Sequence, residues 1–390
     1  MFRQYLFVFS TLFLSIHSKA ATSDWEQAKH ELHTALQFVH NSNLYFQPSV
    51  VVADEKLVAS VQYHWLELFE GYAVAVPLSI SSSHYADQSG LSSTDHRLAP
   101  AVKLFLSDAV DITVQSQWQR ELARAGFGKG EFLDPAAQSL TDEHKSLELS
   151  LQLGRSPDKQ QLTLSAGRDL RQQTIQQQPE SQLLFTEAHA ALFTSQQGNF
   201  VSANYGHRLN ENSSLLAQAA IRREQQGVVP SELYQLGAGW STHYAGSQQF
   251  QFVAGQFRRD TAGQQSNGYY WQANNLWQIS RQWQLDLVTS RNSVLSYATA
   301  SVSQLETRTG VTLGYQWNDA HQIALSSSHN KARLDEQQLQ KTRLELALRW
   351  QWQLGSNWQQ QLQLQGARLA QPAMPDKTAT ELFWQVSRLW

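Results

Sequence analysis

The stretch RLELALRWQWQLGSNWQQQLQLQG, residues 343–366, alternates apolar and polar side chains almost without interruption, and its polar half is mostly glutamine. Side chains of an extended chain point alternately to two faces, so such a run is a strand with one apolar and one wet face. Gly355-Ser356-Asn357 breaks the run, which predicts two antiparallel strands joined by a tight turn. In the second strand Trp358, Leu362 and Leu364 keep the apolar row, and Gln360 interrupts it.

The same period recurs along the chain. Leu147, Leu149, Leu151 and Leu153 oppose Glu148, Ser150 and Gln152, while Val110, Ile112, Val114 and Trp118 oppose Asp111, Thr113, Gln115 and Gln117. Trp271, Ala273, Trp277 and Ile279 follow, then Trp283, Leu285 and Leu287, then Val311, Leu313, Tyr315 and Trp317. Short breaks at 107–109, 280–281, 318–320 and 355–357 alternate with longer polar ones at 85–96, 124–142, 258–268, 291–302, 331–340 and 370–379. Short turns at one rim and long loops at the other are the rhythm of an up-and-down barrel in an outer membrane. The spacing predicts an all-β, transmembrane, antiparallel β-barrel over 44–390 with about 18 strands (range 16 to 20), an even number because both ends stay on one side. The rhythm fails at two consecutive short breaks near 195–198 and 210–213, and again before residue 70.

In hydrocarbon every backbone N–H and C=O needs a partner, so a sheet survives there only by closing on itself. A cation on the lipid face near the bilayer midplane costs roughly 2 to 4 kcal/mol. The charged and amide side chains therefore belong to the lumen: Arg343, Glu345, Arg349, Gln351, Gln353, Gln359, Gln361, Gln363 and Gln365, with Asp111, Glu148 and Asp286. Amide groups both donate and accept, so this lining could exchange hydrogen bonds with sugar hydroxyls, although any water-filled barrel needs polar lining of some kind. Rings with an apolar body and a polar tip favour the headgroup level, which makes Trp271, Trp277, Trp283, Tyr315, Trp317, Trp350, Trp352 and Trp384 the expected aromatic girdle. The bland alternative is a core of aromatics in a soluble sandwich.

The chain opens MFRQYLFVFSTLFLSIHSKA, with Arg3 ahead of an apolar run and Ser18-Lys19-Ala20 before Ala21. This is a signal peptide cut near Ala20, and it is too short to span a bilayer. Over 21–43 the spacing of Trp25, Ala28, Leu32, Leu36 and Val39 predicts one amphipathic helix, capped by Ser23 and Glu26, that lies in the periplasm or plugs the barrel. His30 and His33 would then stand one helical turn apart near Glu26, a spacing able to hold a metal, although a solvated helix face explains them as well and no metal is assigned.

Composition narrows the partners. There is no cysteine among the 390 residues, which excludes disulfides, thiolate metal sites and lipid attachment through cysteine. Removing Arg3 and Lys19 leaves 28 cations against 33 anions, so a nucleic-acid partner is not expected. Gly126-Phe127-Gly128-Lys129-Gly130 imitates a phosphate loop but lacks the following Ser or Thr and reads as a loop. His207 and His243, the latter preceded by Ser241-Thr242, are the residues a barrel enzyme acting on lipid or peptide would use, yet neither spacing is diagnostic and no catalytic residue is assigned.

The C-terminal TELFWQVSRLW carries Trp384, Val386 and Trp390 at alternate positions, with Arg388 among them. It resembles the last strand of bacterial outer-membrane barrels, which the insertion machinery recognises; Arg388 replaces the apolar residue usual there. Taken with the strand-turn texture of GNFVSANYGHRLNENSSLLAQAAIRRE (198–224), the chain resembles outer-membrane β-barrels of porin type encoded with exopolysaccharide or capsule operons. That resemblance implies a Gram-negative outer-membrane protein assisting export or surface assembly of an exopolysaccharide, with lipid, the insertion machinery, polysaccharide and export-complex proteins as partners and no cofactor. A general porin for small solutes is the alternative that the barrel alone supports.

Overall fold

The computed structural model describes residue 25 and residues 29–43, 53–123, 138–154, 160–177, 195–227, 229–244, 247–295, 303–334, 340–370 and 375–390. The signal peptide, the cap at Ser23 and Glu26, and the glycine-rich stretch at 126–130 lie outside these residues.

Alternating sequence becomes strand throughout. The first half contributes β1 (Lys29–Asn41), β2 (Asp54–Phe69), β3 (Tyr72–Tyr85), β4 (Ser93–Leu98), β5 (Ala101–Ser107), β6 (Val110–Ala123), β7 (Gln138–Leu153), β8 (Gln160–Gln177) and β9 (Gln196–Asn210). The second contributes β10 (Ser213–Gln226), β11 (Val229–Tyr244), β12 (Gln248–Thr261), β13 (Gln264–Gln278), β14 (Trp283–Leu295), β15 (Ser303–Asn318), β16 (His321–Leu334), β17 (Gln340–Leu354), β18 (Trp358–Ala370) and β19 (Lys377–Leu389). Apart from β4 and β5, each pairs antiparallel with the next, and β19 pairs back onto β1 from His33↔Leu389 to Asn41↔Glu381, which closes the sheet. β4 and β5 are one stave: both pair with β3 and with β6, and the ladder is interrupted at Pro100, which has no N–H to donate. The protein is therefore a closed, 18-stave antiparallel barrel.

The start of β1, the end of β19 and turns such as Asp108-Ala109, Glu211-Asn212 and Asp319-Ala320 occupy one rim. Near this rim, outward positions are almost uncharged. In the first eight residues of each stave above its short-turn end, Glu67 and Arg388 are the only outward Asp, Glu, Lys or Arg among the described residues. The exterior there is instead mostly Leu, Val, Ile, Ala and aromatic, with Leu209 57% and Leu325 54% exposed. Such a belt is stable only against hydrocarbon, and with the closed antiparallel sheet it places the chain in the Gram-negative outer membrane.

Several expectations change. Lys29–Asn41 is a strand and not a helix, so the barrel begins before residue 44. A spacing of four is even, so Leu32 and Leu36 satisfy a helical and an extended period equally; Thr34 and Phe38 complete the alternation, and bonding on both flanks, to β2 and β19, decides it. The supposed loop at 258–268 is mostly strand. Its turn is only Ala262-Gly263, with φ of 49° and 86°, the two positive values that a two-residue hairpin turn requires. Residues 138–142, 291–295, 331–334 and 377–379 are likewise strand. The break near 195–198 is the start of β9 after the segment 178–194, which restores the alternation of rims.

Candidate functional site: the inner wall and an in-folded hairpin

Contacts that skip a stave identify the inner face, because side chains two staves apart converge only on the concave side. Arg222 on β10 donates to both oxygens of Asp169 on β8 (3.0 and 3.1 Å), passing over Gly198 of β9. A Cβ at Gly198 would stand 2.8 Å from Asp169 Oδ1, so the glycine keeps this route open. Arg222 Nε also bonds Glu224 (2.5 Å), and Glu224 receives Arg259 of β12 at 2.9 Å, across β11. The result is a chain of alternating charge, Asp169, Arg222, Glu224, Arg259, running along the inner wall. Beside it Arg171 grips Asp142 with two bonds (2.6 and 3.0 Å), and Gln173 adds a third at 3.2 Å.

Arg259 has a second task. It is 2% exposed, and its remaining donors reach Ser231 Oγ, Ser293 Oγ and the Ser293 carbonyl, all at 3.0 Å. Ser293 belongs to β14, and pairing between β13 and β14 stops at Trp271↔Arg291, whereas β14 and β15 remain paired up to Leu295↔Ser303. The upper end of the β14–β15 hairpin thus leaves the wall. Ser293, Leu295 and Leu305, whose pleat parity lower down is outward, now meet the inner face, where Leu305 packs on Leu233, Val253, Phe257 and Tyr270. An apolar patch inside a wet barrel is tolerated because this hairpin covers it, and Arg259 ties the hairpin to the wall.

The lining residues expected from the sequence occupy the pleat face shared by this network. Arg343, Glu345, Arg349, Gln351 and Gln353 alternate with outward leucines and tryptophans on β17, and Gln359, Gln361, Gln363 and Gln365 do so on β18. Register sets Gln351 opposite Gln361 and Gln353 opposite Gln359, which gathers the amides into one patch near the short-turn rim. Arg343 pairs with Glu345 (2.6 Å), which also accepts from Ser328 (3.0 Å). Glu148 accepts from Gln115 and Ser150. Asp111 forms a buried ion pair with Lys103 (3.1 Å; side chains 3% and 5% exposed), and Asp286 stands on the inner face of β14. Beside the Lys103 pair, Trp25, like Leu68 and Phe105, packs against the cluster of Leu66, Ala73 and Ala75, so the chain just ahead of β1 touches the inner wall.

The opposite face carries the aromatics. Trp283, Tyr315, Trp350 and Trp384 lie on one outward row that runs through Ile323 and Leu362 to Phe38. Trp317 and Trp277 are next to their turns, and the Trp352 ring lies 4.7 Å from that of Trp350, tilted by 38°. Trp271 is seven residues from the end of β13, at mid-stave, where its ring carries Arg291 at 5.2 Å. At the C-terminus the Arg388 guanidinium sits 3.4 Å from the Trp390 ring and 5.1 Å from that of Trp358. The Trp390 Nε1 donates to Thr34 across the closing seam (3.2 Å), and Val386 lies opposite Leu36 there.

Two constellations dissolve. On a strand His30 and His33 point to opposite faces; His30 meets Glu67 (3.0 Å) and His33 approaches Glu31 (3.8 Å). By the same parity His207 points outward and His243 inward, so they share no site. What sequence reading missed was the Arg222–Glu224–Arg259 chain. Arg259 fell in a stretch assigned to a loop, and each of Arg222-Arg223 and Arg258-Arg259 sends one side chain to each face, which only the register resolves.

The fold has counterparts among solved structures. Pseudomonas aeruginosa OccK2 (OpdF), solved with glucuronate, aligns with 93% of this chain and 98% of its own at 12% identity and a TM-score of 0.51. Pseudomonas aeruginosa OpdK with vanillate (93% and 99%, 11% identity, 0.50) and Acinetobacter baumannii OccAB4 (94% and 99%, 9% identity, 0.50) match comparably. At such identities the likeness is one of fold. No protein-family profile and no curated protein matches the sequence. The chain is thus an outer-membrane β-barrel with a porin-like fold.

Proposed function

We propose that the protein is a passive channel for small polar solutes across the outer membrane. The observation that carries this reading is the inner wall: lined with paired charges and amides in a barrel of porin size, and narrowed on one side by a hairpin that Arg259 fastens over an apolar patch. Barrels of 16 to 18 staves leave an aqueous bore of their own accord, so a fastened constriction is what gives one selectivity. The charges of the Asp169–Arg222–Glu224–Arg259 chain are mutually paired, and the amides of Gln351, Gln353, Gln359 and Gln361 offer donors and acceptors together. Neutral, hydroxyl-rich solutes suit such a lining.

Export of an exopolysaccharide, which the family resemblance implied, draws no support from the structural counterparts, and a polymer would have to thread past the hairpin. Purified barrel in planar bilayers tests the proposal. A steady ionic conductance, reduced by added small sugars, is the expected result; a barrel that never conducts overturns it.

A further inference from the structure

The exterior is asymmetric in charge. Above the apolar belt, five outward cations stand on the neighbouring staves β6 to β12: Arg120, Lys145, Arg168, Arg223 and Arg258. Each lies eight or ten residues from the short-turn end of its own strand, so they share one height on the barrel. Lys331 and Arg368 repeat the pattern at ten residues on β16 and β18. Nothing comparable rings the lower edge of the belt, where Arg388 is held between two tryptophans. An outward cation is costly against hydrocarbon, so this ring marks where the hydrocarbon ends and headgroups begin. The start of β1, the end of β19 and the turns at 108–109, 211–212 and 319–320 are at the other rim, so the ring is on the outer leaflet.

We propose that this collar binds phosphate-bearing lipid headgroups of the outer leaflet, with Lys145, Arg168 and Arg223 as its centre. Register puts Arg168, Asn199 and Arg223 on one outward row, which separates the two guanidinium groups by two staves, roughly 10 Å. Cations so spaced can hold two phosphates of one headgroup, and arginine meets phosphate through paired N–H groups. Directly below, Leu147, Leu164, Val201 and Ile221 form an exposed apolar track on the same staves that matches acyl chains descending from the headgroup. The acids at this height are Glu143, which holds Lys145 (2.8 Å) and Trp118; Glu232, which holds Arg223 (3.0 Å) and Tyr234; and Asp260, which accepts from the Gly263 N–H and from Gln265. They leave the cations in excess, and exposed pairs such as Arg223 with Glu232 are weak enough to open for a phosphate.

The test uses the full-length barrel in neutral detergent, offered bis-phosphorylated lipid A, its dephosphorylated counterpart, or inorganic phosphate, with lipid retention read by native mass spectrometry. Wild type is expected to retain the phosphorylated lipid at least tenfold better than the dephosphorylated one, and raised salt is expected to abolish the preference. The K145Q/R168Q/R223Q variant, altered only on the exterior, is expected to lose the preference while its conductance stays unchanged. Equal retention of both lipids by wild type overturns the proposal, as does a folded triple variant that retains the preference. Displacement of the lipid by an equal concentration of inorganic phosphate would make this a free-anion site and overturn the lipid assignment. If the variant does not fold, the salt dependence of wild type alone decides, and a preference insensitive to salt counts against the collar.

Discussion

Arg259→Met separates the hairpin from the wall while sparing the barrel. The substitution keeps an apolar stem of similar reach and deletes four hydrogen bonds: one each to Glu224 and Ser231, and two to Ser293. Glu224 retains Arg222 at 2.5 Å, so no carboxylate is stranded, and the stave-to-stave ladders of β10 to β12 are untouched. The bonds to Ser293 are the part that fastens the hairpin. Hydrogen bonds to a charged group are worth about 1.5 to 3 kcal/mol each, so docking loses at least ~3 kcal/mol. Because ~1.4 kcal/mol is a factor of ten, the ratio of lifted to docked hairpin rises on the order of 100-fold. Packing of Leu305 on the inner patch remains and opposes complete release. Single-channel recording should therefore show a larger mean conductance with new flicker between two levels, and Ser293→Ala should move in the same direction by less. A variant whose folding is confirmed by heat-modifiable migration, yet whose conductance and noise equal those of wild type, would refute the assignment of Arg259 as the fastener.

Other expectations test neighbouring parts of the wall. Gly198→Ala places a Cβ 2.8 Å from Asp169 Oδ1, so the carboxylate must shift off Arg222; a loss of about 1 to 3 kcal/mol in urea unfolding is expected, and Gly206→Ala, whose Cβ would meet only Leu216 Cδ2 at 3.9 Å, should cost less. Lys103→Met leaves the buried Asp111 carboxylate without its ammonium partner and should cost about 3 to 5 kcal/mol, most of it recovered by adding Asp111→Leu. A single variant no less stable than the double would contradict this. Deleting Trp390 removes the bonds to Thr34 and Leu32 across the seam and should slow insertion into vesicles severalfold, whereas Arg388→Ala, which loses only ring contacts of about 0.5 to 1 kcal/mol each, should insert at nearly the wild-type rate.

How far the sequence could be read depended on whether each stave's two faces differ. Where leucine opposes glutamate or glutamine, as in 147–153 and 343–354, parity, face and partner all follow from the sequence, because a slip of one residue would put charges into lipid. The turns at 355–357 and 318–320 were legible for the same reason. The N-terminal stave was not, since Leu32 and Leu36 fit two periods and only closure against β19 separates them. The hairpin at Ala262-Gly263 was hidden by a polar, glycine-rich surround that resembles a loop, and Arg259 was hidden with it. The ion chain was illegible in principle: Asp169, Arg222 and Arg259 come from three hairpins, and their meeting depends on registers that no local pattern encodes.

The place where the wall opens follows from the same rule of contrasting faces. Residues 290–293 are Ser-Arg-Asn-Ser, polar on both faces, and they lie where β14 parts from β13. Apolar outward side chains at 291 and 293 would hold that point in lipid, whereas Leu305 beyond it finds apolar cover on the inner patch. Ser293 has no such hold on lipid, and turned inward it gains two bonds from a buried guanidinium. The inner patch of Leu233, Val253, Phe257 and Tyr270 adds an incentive, since without the hairpin it would face the wet bore. Strict alternation can build only a tube. The narrowing arises at a segment where alternation lapses, and it is held there by an arginine whose own stave alternates correctly.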